Sequence, residues 1–166
     1  MKKLICFLLL WHGLYSQNAD VVLTIGHTDQ INSMDISANG STIASGGNDK
    51  LVKIWDVSTS KELRTFSGND GRIVFVKFCP DGKHIAALNY QNKLNVWNIA
   101  SGKRVAEFEA QSTIGTFDFY FKEEQLVFYD LEYNLVRANY VTGVLIKKIN
   151  ISGIARFKAH PYNEKV

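Results

Sequence analysis

From about residue 21 onward, apolar and polar positions alternate in short bursts, separated by breaks rich in Gly, Asn, Asp and Ser. A period of two places alternate side chains on opposite faces of an extended chain, so each burst reads as a β-strand and each break as a turn. The first four bursts predict strands at 31–37, 42–45, 51–57 and 62–66. Asn39-Gly40 and Asp81-Gly82 are the strongest hairpin signals, because a tight two-residue turn needs positive φ at its centre. Outside the first 16 residues no window sustains a helical apolar period, so the predicted class is all-β.

The four-strand pattern itself repeats. Trp55 recurs as Trp97, Phe66 as Phe108, Ile31 as Ile73 and Asn39-Gly40 as Asp81-Gly82, all at a spacing of 42. A third copy follows at a spacing of 41, taking Ile73 to Ile114, Phe78 to Phe119, Leu94 to Leu135, Gly102 to Gly143 and Phe108 to Ile149. It has drifted, since Trp97 becomes Ala138 and Pro80-Asp81-Gly82 becomes Phe121-Lys122-Glu123. A fourth copy begins near Ile154, with His160-Pro161-Tyr162-Asn163 at the turn, and the sequence stops at Val166 in what aligns as mid-strand. Such a period marks stacked units that bury their apolar faces against one another.

In the first copy, Gly26-His27, Ser45-Gly46-Gly47-Asn48-Asp49 and Val52-Lys53-Ile54-Trp55-Asp56 together resemble the WD-repeat β-propeller family. The resemblance implies an incomplete propeller of four-stranded antiparallel blades over residues 17–166, with repeats at about 26–67, 68–109 and 110–150 and a partial one at 151–166. It also implies a hydrogen-bonded structural tetrad of His27, Ser45, Asp49 and Trp55, since burying the indole N–H or the imidazole without a partner would cost about 1–3 kcal/mol. Asp49 further suits the turn between the second and third strands. The second copy keeps only Trp97, with Asn69, Ala87 and Gln91 at the other three positions, so it is expected to rest on packing of Ile73, Val76, Phe78, Ile85, Leu94, Val96 and Phe108. Residues 21–24 match the last strand of a blade, which in closed members of the family completes the final blade. Three copies cannot close a ring that needs about four or more blades. The expectation is therefore an N-terminal portion of a longer protein whose C-terminal part supplies the remaining blades.

The leader changes the expected location. Lys2-Lys3 precede an apolar run at 4–15 and then Ser16, the layout of a secretory signal peptide over residues 1–16. The run is short of the ~20 residues a membrane-spanning helix needs, so no stable membrane insertion is expected and the location is secreted or periplasmic. With Cys6 in the leader, only Cys79 remains, and a single thiol gives no internal disulfide. The formal charge is +3, and loss of Lys2 and Lys3 lowers it further, which leaves no electrostatic case for nucleic acid. At 46% hydrophobic and 21% charged residues, the composition is that of a folded chain, not a disordered tail.

No residue set argues for catalysis. Ser45, His27 and Asp49 could be taken for a hydrolase triad, but the repeat assigns them a structural role, and a triad is defined by geometry. Cys79 lies near His84, yet it directly precedes the Pro80-Asp81-Gly82 turn. His12, His27, His84 and His160 lack metal-site spacing, Ser45-Gly46-Gly47 lacks a phosphate loop's context, and Glu123-Glu124 reads as solvated charge. Of the aromatic run Phe117, Phe119, Tyr120 and Phe121, the last two are candidates for exposed contact. The expectation is no cofactor, no metal and no enzymatic activity. What remains is the loop face, where the resemblance places Asp29, Gln30, Asn48 and Lys50 of the first copy and Asp70, Arg72, Tyr90, Gln91 and Asn92 of the second. Arg72 and Tyr90 lead as contacts because Arg and Tyr are enriched among binding hot spots. The expected function is an exported, non-catalytic scaffold for a protein or peptide partner. One alternative is the recognition domain of a larger bacterial enzyme, such as a peptidase or kinase, whose catalytic domain lies beyond Val166. Another is a cytoplasmic scaffold whose leader is a buried strand.

Overall fold

The computed structural model describes residues 26–109, 112–120 and 124–152. The leader at 1–16, the strand at 21–24, the Phe121-Lys122-Glu123 turn and the fourth copy lie outside the described residues. Among the described residues, no helix is long and apolar enough to cross a membrane.

Among the described residues, twelve strands form three antiparallel sheets of four. Blade 1 holds β1 (Ile31–Ile36), β2 (Thr42–Gly47), β3 (Val52–Asp56) and β4 (Glu62–Phe66). Blade 2 holds β5 (Ile73–Phe78), β6 (His84–Asn89), β7 (Lys93–Asn98) and β8 (Arg104–Glu109). Blade 3 holds β9 (Ile114–Tyr120), β10 (Gln125–Asp130), β11 (Asn134–Asn139) and β12 (Leu145–Asn150). Each sheet pairs its strands in chain order, as meanders joined by short turns must.

The core does not lie inside each blade; it lies between neighbours. Ala44, Val52, Ile54 and Phe66 of blade 1 form one apolar cluster with Ile73, Val76, Phe78, Ile85, Ala87 and Trp97 of blade 2. Leu88, Leu94, Val96 and Phe108, on the other face of blade 2, pack with Ile114, Phe117, Phe119, Leu126 and Phe128 of blade 3. The seven apolar residues expected to hold the second copy together are all buried, but Leu94, Val96 and Phe108 face one neighbour while the other four face the opposite one. Alternation makes this inevitable, because a strand sandwiched between two blades has two buried faces.

Side chains also stitch β1 to β5. Ser33 Oγ accepts the Val76 amide at 3.1 Å, Asp35 accepts the Phe78 amide at 2.8 Å, and Asn32 donates to the Ile73 carbonyl at 2.8 Å. The blades approach closely at Gly46, where an added Cβ would run into a side-chain methyl of the buried Ile73.

The hairpin expectation needs correction. Only Gly40 has positive φ in the Asn39-Gly40 turn, and only Gly82 in Asp81-Gly82. The turn is wider than two residues: Gly40 N–H donates to Ser37 O at 2.8 Å and Ser37 N–H to Thr42 O at 3.0 Å, while the Asn39 carboxamide oxygen accepts from the Ser41 amide. Asn39 and Asp81 contribute as side-chain acceptors, not as residues of left-handed conformation.

Candidate functional site

Blade 1 assembles the expected tetrad as one chain of hydrogen bonds. Trp55 Nε1–H donates to Ser45 Oγ at 2.8 Å, Ser45 meets His27 Nε2 at 2.7 Å, and His27 Nδ1 meets both Asp49 oxygens at 2.8 and 2.9 Å. Indole only donates, so Ser45 is free to donate its own proton to Nε2, which puts the imidazole proton on Nδ1, toward Asp49. Asp49 also accepts the amides of Leu51 and Thr28, which fixes the β2–β3 turn. Burial pushes the Asp49 carboxyl up, but the His27 donor and these two amides outweigh it and hold it below the ordinary carboxylate range. Ser45 is buried with its oxygen already committed to Trp55, an arrangement that anchors strands and offers no exposed nucleophile.

Blade 2 replaces the tetrad with a different relay. Arg104 donates to Asn95 Oδ1 at 3.1 Å, Asn95 to Asn69 Oδ1 at 3.2 Å, and Asn69 to the Lys50 carbonyl at 3.0 Å. Asn69 stands at the His position, as its alignment predicts, but it pairs with Asn95 and pins the neighbouring loop of blade 1. Gln91, at the Asp position, leaves turn capping to Asn89, whose Oδ1 accepts the amides of Gln91 and Lys93. In blade 3 Asp130 caps the corresponding turn through the amides of Glu132 and Asn134.

Cys79 and His84 do come together, through a third and a fourth group. His84 Nδ1 meets Asp81 Oδ2 at 2.7 Å, Tyr140 O–H donates to the same oxygen at 3.1 Å, and Cys79 S–H donates to Tyr140 Oη at 3.0 Å. Burial pushes the Cys79 thiol up to about 12, so it carries no thiolate at neutral pH. Burial likewise raises the Asp81 carboxyl, yet the His84 ring and the Lys83 amide bring it below the ordinary range. The cluster locks the blade 2 turn to blade 3. No group of metal-ligating side chains occurs among the described residues.

The loop face gathers the predicted contact residues at one end of the blades, through the same backbone bond in each. Asn48 N–H donates to Gln30 O, Tyr90 N–H to Arg72 O and Leu131 N–H to Thr113 O, at 2.8, 2.9 and 2.9 Å. Each bond ties the turn after a blade's second strand to the segment entering its first. Arg72 lies over the Tyr90 ring at 4.1 Å from its centroid, and the ring is 62% exposed. Asp70 is held by Lys93 at 2.7 Å, and that partner keeps its carboxyl below the ordinary range. Asp29 Oδ1 accepts the Gln30 amide at 2.6 Å, Asn48 accepts from Asn32 at 2.8 Å, and the Gln91 side chain lies across Gly71. Lys50 and Asn92 occupy equivalent turn positions with φ of 66° and 64°.

Two exposed residues of this face were missed from the sequence, Leu131 and Tyr133 of blade 3, at 58% and 47% exposure. They stand 41 positions after Tyr90 and Asn92, so the repeat spacing would have found them had the third copy been carried to its loops. Tyr120 is exposed as proposed, and Phe121 lies outside the described residues.

Three stacked four-stranded blades with a tetrad at the first define a β-propeller repeat protein, open at both described ends. Residues 20–56 and 60–98 match the family model "WD domain, G-beta repeat", so this part of the chain carries WD repeats. Transcription initiation factor TFIID subunit 5 of Caenorhabditis elegans is 36% identical over 76 residues, covering 46% of this chain and 12% of that protein. The small ribosomal subunit protein RACK1 of the same organism is 32% identical over 87 residues, covering 52% of this chain and 26% of that one. The solved structure of the RRP9 WD40 repeats superposes with a TM-score of 0.70 at 16% identity, over 78% of this chain and 41% of that one. A chain of a mitotic checkpoint complex does so with a TM-score of 0.66 at 24% identity, over 77% and 41%. The chain thus spans only a part of each of these relatives. Folds of this kind generally mediate contacts between proteins.

Proposed function

We propose that this chain is a non-catalytic interaction module that takes a protein or peptide partner on its loop face. The observation that carries the reading is the Arg72–Tyr90 stack, a cation and an aromatic ring ordered on each other in the open, with the backbone of both fixed by one hydrogen bond. A pre-stacked Arg and Tyr lose little conformational freedom on binding, which is the property of an interface hot spot. The buried Ser45 and the protonated Cys79 support a non-catalytic role. The test is chemical cross-linking in the source cell followed by mass spectrometry, comparing the wild type with a chain carrying Arg72→Ala and Tyr90→Ala. The reading expects the main cross-linked partner to be lost from the variant, and an unchanged partner set removes it.

Export belongs to the same proposal. Lys2-Lys3 and the apolar run at 4–15 support a cleaved leader, and the mature N-terminus is expected near Gln17. The part-length coverage of the relatives supports a second reading, in which the blades are the recognition portion of a larger protein. Coding sequence past Val166 that continues into a catalytic domain would favour it.

A further inference from the structure

We propose that the loop face of blades 2 and 3 recognises an extended peptide segment carrying a carboxylate beside large apolar side chains. This rests on the loop-face reading above and adds the chemistry of the partner.

Arg72 supplies the cation. Its guanidinium is stacked on Tyr90 and, among the described residues, makes no ion pair. Stacking occupies the face of a guanidinium and leaves its N–H edge free, which is the edge that forks a carboxylate. The neighbouring acid is already settled, because Asp70 is paired with Lys93. An incoming carboxylate therefore meets an unclaimed positive charge at Arg72. Lys50 of blade 1 is exposed on the same face and acts on Asp70 as a second positive charge, so the field around Arg72 favours a carboxylate.

Blade 3 supplies the apolar part. Leu131 and Tyr133 are exposed on the turn equivalent to the one bearing Tyr90. Tyr133 has φ of 62°, a left-handed conformation that is strained for an aromatic side chain. The surroundings enforce it. Tyr133 N–H donates to Asp130 O at 3.1 Å, Ile151 N–H donates to Tyr133 O at 2.7 Å, and Asp130 caps the turn from within. Lys50 and Asn92 hold the same conformation at the equivalent positions of blades 1 and 2, so the turn imposes it in every described blade. The turn thus holds the Tyr133 ring half-exposed beside Leu131, an aromatic and an aliphatic surface ready to be covered by a partner.

The test is selection from a displayed random dodecapeptide library against the wild-type chain and, in parallel, against the Arg72→Ala/Tyr90→Ala variant. Peptides enriched only by the wild type report on the loop face. The proposal expects these to share an Asp or Glu within about two positions of Leu, Phe, Tyr or Trp. A resynthesised winner should bind on the order of tenfold more tightly than its Asn or Gln counterpart. Arg72→Glu should reverse the preference toward Lys-bearing peptides. Tyr133→Asn relieves the backbone and keeps the fold, and should weaken every winner while leaving its acid preference intact. Winners that depend on the face but show no acid preference, or bind equally as Gln counterparts, overturn this inference and leave the loop-face reading standing. No face-dependent winners at all overturn both.

Discussion

At the scale of single residues, the tetrad of blade 1 works as a directed chain of donors, and its direction makes it sensitive to acid. Trp55 can only donate, so the sequence of protons runs Trp55 to Ser45 to His27 to Asp49, and the last acceptor must be an ionised carboxylate to complete it. Asp49 has a native pKa below its unfolded one. Its contribution to stability is therefore fully present above the ordinary carboxylate range and is lost as pH falls through the lowered native value. Asp49→Asn keeps a carbonyl acceptor for His27 but gives up the charge, and is expected to cost about 1–2 kcal/mol at neutral pH. In thermal unfolding followed by circular dichroism, that deficit should shrink as the pH falls below the ordinary carboxylate range and through the lowered native value of Asp49. Trp55→Phe removes a neutral donor and should cost on the order of 1 kcal/mol with no such narrowing. A deficit for Asp49→Asn that stays constant with pH would show that the charge contributes nothing.

At the scale of the element, blade 3 shows how a repeat survives the loss of its signature side chain. Trp97 of blade 2 packs against Phe66 of blade 1 at 5.7 Å between ring centroids. The equivalent of Trp97 in blade 3 is Ala138, fully buried, and Tyr140, at the position of Ile99 in blade 2, ties this end of blade 3 to its neighbour. Tyr140 meets Phe119 edge-on at 5.3 Å and His84 at 5.4 Å, while its hydroxyl bridges Cys79 and Asp81. Tyr140→Ala should destabilise the chain by about 3–5 kcal/mol through the cavity it leaves. Tyr140→Phe keeps the ring, loses the bridge, and should cost about 1–2 kcal/mol. Chemical denaturation of both variants measures the difference, and equal losses would assign the effect to the hydroxyl alone. Substitutions of this kind set the limit of what the sequence reveals. Blades 1 and 2 were legible because a uniform spacing carried Trp55, Phe66 and the Gly turns into Trp97, Phe108 and their counterparts. Arg72 and Tyr90 were legible for the same reason. Tyr140 was not, since its equivalent in blade 2 is the aliphatic Ile99, which offers no hydroxyl to bridge, and neither was the Arg104, Asn95 and Asn69 relay, whose members share no residue type with the tetrad they replace. The placement of the core between blades was hidden too, because alternation along one strand cannot say which neighbour each face will meet.

At the scale of the whole molecule, the two described ends differ in chemistry. Blade 1 presents Ile31, Met34 and Ile36 outward, the last two at 68% and 58% exposure. Their counterparts Ile73, Val76 and Phe78, and again Ile114, Phe117 and Phe119, are buried against the preceding blade. Among the described residues this end therefore has the surface of a blade joint with no blade packed on it, and such a surface associates. Blade 3 is different. Arg137 stands where blades 1 and 2 bury Ile54 and Val96, and it pairs in register with Lys147 on the edge strand β12. An apolar surface cannot cover adjacent cations without leaving them unpaired, at a cost of several kcal/mol, and edge lysines are a common guard against strand pairing. Self-association of the 166-residue chain is accordingly expected to run through the blade 1 face. Replacing Met34 and Ile36 with Lys should weaken association by about tenfold or more in sedimentation velocity, with an unchanged far-UV circular dichroism spectrum, because two exposed apolar side chains contribute a few kcal/mol when covered. The same change at the equivalent Val76 buries an unpaired charge in the joint between blades 1 and 2 and should unfold the chain instead. Replacing Leu145 and Ile149 on β12 with Lys should leave association nearly as it was; if it instead abolished association while the Met34 and Ile36 changes did not, the basic end would be the sticky one and the assignment of the apolar joint to blade 1 would be wrong.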